Sequence, residues 1–335
     1  MKIQQVLDAL ERFAPLPLQE GWDNAGLQIG LTEAEVSGVL LCLDVTEQIV
    51  DEAISRGCNL VVSHHPLLFH GLKRISGQDY VQRTVMKAIK HDIAVISMHT
   101  NLDSALGGVN FKIAERLGAT PLPPGGETAG HGTPAAGAPP LPPGGETAGH
   151  GTPAAGATPL PPGGETAGHG TPAAGAPSVP SGFPAGAPSV PSGFPAGEMS
   201  VPSGFPAGKI PWVLAALPAP MEAGVFVALV KERFGVACAH CNALLRRPVS
   251  TVAICGGAAD FVLDEAIAAG ADAFITGEMH YHVFFGHEQQ IQICVIGHYE
   301  SEQFTAEVLR DIIRRDCPGV KTFIAETNTN PIVYC

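Results

Sequence analysis

Histidine and carboxylate side chains cluster in four short stretches of this sequence. Each stretch follows an apolar run of the kind that forms a buried strand. Imidazole and carboxylate together suit divalent ions such as zinc, manganese, iron or nickel. The four stretches are His64-His65, His99 to Asp103, Glu278 to His282, and His298 to Glu302.

The adjacent histidines, His64 and His65, are the most unusual of these features. Neighbouring side chains on a regular strand point to opposite faces, so the two rings can converge only where the strand ends. Pro66 favours that ending, because it removes a ladder donor and restricts the residue before it. Two such imidazoles could each bind one of two ions. Glu302, about one helical turn after His298, is placed to bridge that pair.

A single histidine in such a position is more often an ordinary polar residue than a ligand. The repetition of the pattern at four strand ends favours a joint metal site. Histidines that lack a repeated partner are assigned to ordinary structural roles, namely His70, His91, His240 and His287.

Apolar runs alternate with segments of helical periodicity on both sides of a central repeat region. The runs predict strands at 38–45, 58–65, 93–100, 212–218, 250–257, 271–278, 291–298 and 320–326. Helical spacing predicts helices at 46–57, 79–92, 260–270 and 301–315. Alternation of near-continuously apolar strands with helices is typical of α/β sheets that are buried on both faces.

The two halves of the chain also resemble each other. The sequence DEAISRGCNLVVSHH, which begins at Asp51, aligns with DEAIAAGADAFITGE, which begins at Asp264. This alignment places His65 opposite Glu278, and the following segments place His99 opposite His298 and Asp103 opposite Glu302. We therefore expect two related α/β lobes, whose polar groups meet beyond the carboxyl ends of their strands, where open α/β sheets bind ligands.

Tandem repeats separate the two halves. Three near-identical copies of TPLPPGGETAGHGTPAAGA are followed by three copies of a unit with the core SVPSGFPAG. This composition is too rich in proline and glycine to form a packed core. We expect an N-terminal lobe at 1–119, a low-complexity insert at 120–208 and a C-terminal lobe at 209–335. The recurring histidines of the insert, between glycines, are poor ligands: His131, His150 and His169.

Bulk composition excludes several classes of protein. The formal net charge of −13 disfavours general binding to nucleic acid or to anionic membranes. No apolar run reaches the roughly 18 residues of a membrane helix, and the acidic, amphipathic N-terminus is unlike a signal peptide. Eight cysteines in this context predict reduced thiols and a cytoplasmic location. We interpret the pair Cys238 and Cys241 as core or surface thiols, because no second pair follows at the spacing of a zinc site.

Several separated motifs together resemble the NIF-three-like family, whose members are often labelled GTP cyclohydrolase 1 type 2 homologues. The resemblance covers essentially the whole chain outside the repeats. Its motifs are WDNAGLQIG at 22–30, SHHPLLF at 63–69, HTNLDSALGGVN at 99–110, TGEMHYH at 276–282 and GHYESE at 297–302.

The resemblance implies a dinuclear centre, with two divalent metal ions per chain. The implied ligands are His64, His65, Asp103, His298 and Glu302, with Glu302 contacting both ions. His65 and Asp103 would share one ion, and His64 and His298 would hold the other. His99 is outside this set and would orient Asp103 or a bound water. The resemblance further implies a ring-shaped homohexamer.

Two hypotheses about function follow. The first is a metal-dependent hydrolase that acts on a nucleotide or another phosphorylated small molecule, either as a phosphoesterase or by a reaction like that of GTP cyclohydrolase. Glu278 and His282, or His280, would then supply the general acid or base. The second is a non-enzymatic protein that binds or delivers metal and forms a ring. The sequence leaves both hypotheses open.

Overall fold

The computed structural model describes residues 1–123 and 209–335 of the chain. The tandem repeats, with the predictions made for His131, His150 and His169, lie outside the described residues. The two described ranges belong to one compact unit.

The strands of the described residues are short and mostly buried. Several of the predicted apolar runs, such as Val39–Cys42, Leu60–Ser63 and Ala94–Ser97, are buried at every position, whereas Val213–Met221 and Thr322–Ile324 are only partly buried. The strands are β1 (Gly26–Ile29), β2 (Val39–Cys42), β3 (Leu60–Ser63), β4 (Ala94–Ser97), β5 (Thr120–Pro121), β6 (Val213–Met221), β7 (His240–Cys241), β8 (Val249–Ile254), β9 (Ala273–Thr276), β10 (Gln292–Val295) and β11 (Thr322–Ile324).

The helices begin and end at recognisable signals. Asp79 and Thr46 cap their helices, because the side chain of each accepts a hydrogen bond from the backbone N–H of the third helical residue. Gly118 and Gly235 end theirs in the left-handed conformation. The helices are α1 (Ile3–Phe13), α2 (Glu47–Ser55), α3 (Tyr80–Lys90), α4 (Thr100–Asp103), α5 (Val109–Leu117), α6 (Ala223–Phe234), α7 (Leu263–Ala268), α8 (His298–Glu302) and α9 (Thr305–Asp316).

The strands form two sheets, in the orders β1-β4-β3-β2-β11 and β5-β6-β8-β9-β10-β7. Strands β2, β3 and β4 are parallel in the first sheet, and β8, β9 and β10 are parallel in the second. Helix α4 follows β4 and helix α8 follows β10, so the two halves repeat one pattern. The expected α/β architecture with two related sheets is confirmed.

Two strands lie across the lobe boundaries that the sequence suggested. Strand β11, from the C-terminal end of the chain, pairs in parallel with β2 of the first sheet. Strand β5, within the range assigned to the insert, pairs antiparallel with β6 of the second sheet. The division at residues 119 and 209 therefore stays a prediction. The first sheet includes β11 from the C-terminal end of the chain, and the second sheet includes β5 from before the repeats.

A shared core lies between the sheets. Alternate residues of the first sheet, such as Leu41 and Val62, pack in one cluster with Val252 and Ile275 of the second. The remaining faces, which carry Leu40 and the other intervening residues, pack outward against separate clusters. Period-two alternation thus gives each central strand one face toward the common core and one face toward the outer helices.

Helices of the described part of the chain are all too short or too polar to span a membrane. All eight cysteines are free thiols.

Candidate metal centre

The polar stretches predicted from the sequence meet at the carboxyl ends of the parallel strands. His64 and His65 follow β3 directly, and their backbone N–H groups still donate to the Cys42 and Leu43 carbonyls beside them. Helices α4 and α8 start shortly after β4 and β10 and carry Asp103 and Glu302. The ends of β3, β4 and β10 therefore bring groups from both halves of the chain together.

His64 is completely buried. Its Nδ1 atom donates a hydrogen bond of 2.8 Å to the Met98 carbonyl. A carbonyl can only accept, so the neutral ring keeps its lone pair on Nε2. That atom lies 3.6 Å from Asp103 Oδ1 and 3.6 Å from Glu302 Oε1. The arrangement presents an imidazole lone pair to two carboxylates.

Two of these atoms are buried without any hydrogen-bond partner, namely Nε2 of His64 and Oδ1 of Asp103. Buried polar atoms are nearly always satisfied, and leaving one unpaired costs about 1–3 kcal/mol. A lone pair on nitrogen and a deprotonated carboxylate oxygen cannot satisfy each other. A divalent cation would satisfy both, so the residues present fit a metal ion.

His65 is held from the side that faces away from the centre. Its Nδ1 atom donates to Asp44 Oδ1 at 2.7 Å, and Asp44 Oδ2 accepts from Thr329 at 2.8 Å. Its Nε2 atom lies 3.0 Å from Glu302 Oε2. A carboxylate on the outer nitrogen fixes the ring and makes the inner nitrogen a better ligand, as in many metal-binding histidines.

Glu302 connects the two sides of the cluster through its two oxygen atoms. Oε1 faces His64, and Oε2 lies 3.2 Å from Nε2 of His298 as well as near His65. Gly257 (φ +64°) makes room for this side chain, because a Cβ atom there would lie 2.6 Å from Glu302 Oε1. The geometry is that of a carboxylate able to bridge two ions.

The side chains form three groups in which one potential ligand atom from each member lies within 4.8 Å of the others. One group joins His64, Asp103 and Glu302, and another joins His65, His298 and Glu302. The pairing implied by the family resemblance, His65 with Asp103 and His64 with His298, is therefore not the one found. Adjacent side chains at the strand end diverge, so the two imidazoles face different oxygens of Glu302.

The pKa shifts within the cluster indicate that it can bind a cation. Burial lowers the pKa of His65, but hydrogen bonds to Asp44 and Glu302 outweigh it and raise that pKa to about 10. Burial and the charge of Glu302 raise the pKa of Asp103 to about 7. Burial also raises the pKa of Glu302, yet the surrounding imidazoles hold it well below its usual value. Without metal the cluster retains protons, which a divalent ion would replace.

His99 contributes to the third group, with His64 and His65. Its Nδ1 atom donates to Asp23 Oδ1 at 2.7 Å, and Asp23 Oδ2 also accepts from the backbone and hydroxyl of Thr100. Burial raises the pKa of Asp23, but these hydrogen bonds lower it to about 2. The His99 ring forms no hydrogen bond with Asp103, and only its backbone carbonyl accepts from the Asp103 N–H. The ring therefore does not hold Asp103 directly, and its role in orienting a bound water stays a prediction.

The two residues suggested as general acid or base lie at different distances from the centre. Glu278 is exposed, and its Oε1 atom lies 3.3 Å from Nδ1 of His298. His282 is exposed and packs its ring against Tyr281 and Phe285. His280 forms an ion pair with Asp260 instead. Glu278 thus adjoins the cluster, whereas His282 and His280 have no hydrogen bond to it within the described residues.

Two supporting carboxylates, Asp44 and Asp23, were not identified as functional from the sequence. Asp44 stands just beyond β2, the third parallel strand of the sheet, which is the same signal that pointed to His64. Asp23 lies in the WDNAG stretch, between predicted elements, where no periodicity marks it.

Other candidates from the sequence lie outside the three groups. Among the described residues, these groups contain none of His70, His91, His240 and His287, and the ordinary assignment of these histidines stays a prediction. Cys238 is exposed, and Cys241 pairs across the sheet with Cys294. Neither cysteine belongs to a potential metal-binding group among the described residues.

Comparison with known families gives a match over nearly the whole chain. The sequence model of Duf34/NIF3 (NGG1p interacting factor 3) matches residues 1–331. A GTP cyclohydrolase 1 type 2 homolog of Staphylococcus aureus (strain COL) is 44% identical over 118 residues, which are 35% of this chain and 32% of the relative. The homolog of Clostridium acetobutylicum is 38% identical over 118 residues, which are 44% of its length. The matched stretch thus spans less than half of these curated relatives.

Solved structures show the same fold. A hypothetical protein of Staphylococcus aureus superposes with a TM-score of 0.70 and 21% identity, covering 100% of this chain and 99% of that one. A Bacillus cereus protein related to NIF3 gives a TM-score of 0.68 and 22% identity, with 100% and 99% coverage. At this identity the likeness establishes the fold alone.

Proposed function

Because the chain belongs to the Duf34/NIF3 family, we propose that it binds two divalent metal ions at the strand ends and is a metal-dependent hydrolase. The buried, unpaired atoms His64 Nε2 and Asp103 Oδ1, 3.6 Å apart, are the observation that carries this proposal. One ion would lie among His64, Asp103 and Glu302, and the other among His65, His298 and Glu302. Zinc, manganese, iron and nickel all suit this donor set.

A pair of divalent ions, when bound, supplies Lewis acidity toward a phosphoryl or carbonyl oxygen. The chain's own residues provide the remaining functions. Asp44 orients His65 through the hydrogen bond to its Nδ1 atom. Glu278 lies at the exposed edge beside His298, where it can pass a proton between the site and solvent.

A nucleotide or another phosphorylated small molecule is the proposed substrate. The name of the relatives, GTP cyclohydrolase 1 type 2 homolog, supports a nucleotide. The positive charge of the metal ions that the cluster would bind also supports an anionic substrate, because opposite charges attract.

Metal content tests the ligand assignment. We expect elemental analysis to find about two ions per chain in the parent protein, since each of the two groups would hold one. His64→Ala and His65→Ala should each reduce this content. His91→Ala, at an exposed helix end, is the matched control and should retain it. Full occupancy in both of the first two variants would show that the ligand set is wrong.

Turnover tests the activity. The protein, loaded with zinc, manganese or iron, is assayed against GTP and a panel of phosphomonoesters and diesters. Glu302→Gln should abolish turnover while circular dichroism and assembly remain unchanged. Tight metal binding without turnover on any substrate would instead support the alternative, a protein that binds or delivers metal.

Assembly and location belong to the same proposal. The homohexamer implied by the family resemblance predicts a mass near six times 34.7 kDa in light scattering. A cytoplasmic location agrees with eight free cysteines, since a reducing compartment keeps thiols in that form.

A further inference from the structure

A cavity of about 690 Å³ lies beside the metal centre and takes no part in the functions described so far. This volume is in the range of sites that bind small molecules. Trp22 and Phe69 line its wall, with Leu72 and Ile75 among the apolar residues farther along. Asp23, the carboxylate that holds His99, also lines the cavity, so the cavity reaches the centre through the Asp23–His99 hydrogen bond.

Two large aromatic rings on this wall are open to solvent. Trp22 is 61% exposed and Phe69 is 41% exposed. Their centroids lie 5.7 Å apart, with an angle of 50° between the planes. The ring centroids of Trp22 and Phe69 lie 6.0 and 6.3 Å from that of His99. The centroid of His99 in turn lies 5.3 Å from that of His64. A continuous row of rings therefore runs from the cavity to the metal-binding group.

The loops that carry these rings are fixed to each other. Asn24 donates from Nδ2 to the Leu68 carbonyl at 2.7 Å, and Gln28 accepts from the Leu68 N–H at 3.1 Å. Hydrogen bonds from His99 and Thr100 hold Asp23, next to Trp22. The aromatic surface is thus formed before any ligand arrives, which reduces the entropy lost on binding.

Polar groups beside the rings are free to recognise a ligand. Within the described part of the chain, Oδ1 of Asn24 and both ring nitrogens of His70 carry no hydrogen bond. His70 packs its ring against Phe69 at 5.0 Å. Asn24 and His70 are both exposed, so the edge of a bound heterocycle can reach them with matching donors and acceptors.

We propose that this cavity binds the planar heteroaromatic ring of the substrate, stacked on Trp22 and Phe69. The phosphate of the same molecule would then point past His99 toward the metal centre. This second part rests on the proposed function, while ring binding stands on the cavity itself. The substrate class is accordingly a nucleotide or a similar phosphorylated heterocycle, in preference to a simple sugar phosphate.

Tryptophan fluorescence offers a direct test, because the chain has only two tryptophans. Trp212 donates from Nε1 to Glu265 at 2.8 Å and packs with the outer cluster of the second sheet. The Trp212→Phe protein therefore reports on Trp22 alone. We expect GMP to quench this signal saturably, and ribose 5-phosphate, which lacks the ring, to leave it unchanged.

Substitution of the rings gives the second measurement. Trp22→Leu and Phe69→Leu should each weaken GMP binding by roughly 5- to 100-fold, because stacking on one aromatic side chain contributes on that scale. Calorimetry measures the GMP affinity of each variant. Both rings are substantially exposed, so metal content and thermal stability should stay at the parent values. Unchanged GMP affinity in both variants, or equal binding of GMP and ribose 5-phosphate, would overturn the proposal.

The two proposals fail in different ways. If only the metal proposal is wrong, GMP still quenches Trp22, and Glu302→Gln leaves the GMP affinity unchanged. If only the ring proposal is wrong, phosphoesters are hydrolysed and Trp22→Leu leaves their KM unchanged. A cavity covered by a second copy of the chain would give no quenching and a smaller assembly in Trp22→Leu, which also contradicts ring binding.

Discussion

At the scale of single residues, the partner of the outer nitrogen, Nδ1, sets the orientation of each imidazole ring of the centre. Nδ1 of His64 donates to a backbone carbonyl, that of His65 donates to Asp44, and that of His298 lies beside Glu278. In all three rings Nε2 faces Glu302. The ring orientations are thus set by partners outside the ligand set, which is common in metal sites.

Asp44 is expected to be a positioning residue for His65. Asp44→Asn removes the charge that orients the ring and increases its basicity, so metal affinity should fall by roughly 10- to 100-fold, measured by competition with a chelator. Asp51→Asn changes a surface carboxylate that pairs with Lys87, and is the matched control. Equal affinities in the two variants would contradict the role of Asp44.

At the scale of elements, the ends of strands and the turns after them determine where the ligands lie. Asn110, at the start of α5, holds three of these segments together. Its Oδ1 atom accepts from the Gly256 N–H, and its Nδ2 atom donates to the carbonyls of Asp103 and Pro211. The turn at Gly256 and Gly257 in turn contacts Glu302. Backbone and ligands are therefore positioned by the same few contacts.

Gly257→Ala should disturb the bridging carboxylate. A side chain at positive φ costs roughly 1–2 kcal/mol, and here the new methyl group would also displace Glu302. Gly235→Ala is a matched control, because Gly235 has a similar φ of +66° and nothing within 4 Å of the added Cβ atom. We expect similar losses of stability from backbone strain, but a loss of bound metal only in Gly257→Ala. Retention of full metal content there would refute the close fit.

The segment after β11 is anchored to α2 by one carboxylate, and its stability should depend on pH. Glu52 accepts hydrogen bonds from the backbone of Glu326 and Thr327 and from Arg56. Burial raises its pKa, but the hydrogen bonds from the Thr327 hydroxyl and from the two backbone N–H groups, together with the charge of Arg56, outweigh burial and lower the pKa from its usual 4.5. A lowered pKa in the folded state stabilises the protein above the unfolded value, and this stabilisation is lost as pH falls through the folded value.

Glu52→Gln should therefore reduce the free energy of unfolding at neutral pH by about 1–3 kcal/mol, since hydrogen bonds to a charged group are lost. The difference from the parent protein should shrink once the pH falls below 4.5, as followed by urea denaturation across pH. Glu47→Gln, which removes a surface ion pair with Arg83, serves as control and should show little effect. A difference that persists unchanged in acid would contradict this account.

At the scale of the whole molecule, the two halves form one folded body by sharing a core and exchanging strands. Strand β11 from the C-terminal end completes the first sheet, and the cluster between the sheets draws on both halves. The metal centre depends on this arrangement, because His64 and Glu302 come from opposite halves of the chain. Neither half alone contains a complete group of three ligands with Glu302.

Removal of the repeat region should leave this body intact. The Leu122 N–H donates to the Leu214 carbonyl, so the ends of the described ranges already run side by side and a short Gly/Ser linker can join them. Replacement of residues 124–208 by a short linker shortens the connection between the described ranges, and each halving of the length of a flexible connection lowers its closure cost by about 0.6 kcal/mol. We expect an equal or slightly higher Tm and unchanged metal content. A large decrease in Tm would show that the repeats contribute to stability.

Particular residues show how far the sequence alone could lead. The apolar runs at β2, β3 and β9 and the helical spacing of α3 and α9 predicted their elements, because burial of one face requires a regular period. The polar residues at strand ends, His64, Asp103 and Glu302, were predicted for the same local reason. Asp44 and Asp23 were missed as partners, since nothing near them in the chain indicates the imidazole that each one holds.

Sequence by itself determined that this protein has α/β sheets, with imidazole and carboxylate groups beyond the strand ends. Tertiary structure alone decided that His64 faces Asp103, that His65 faces His298, and that Trp22 and Phe69 line a cavity beside them. The physical reason is the range of the forces involved. Periodicity records which side of an element is buried, a property of neighbouring residues. Distances between side chains remote in the chain are set only when sheets and loops pack together.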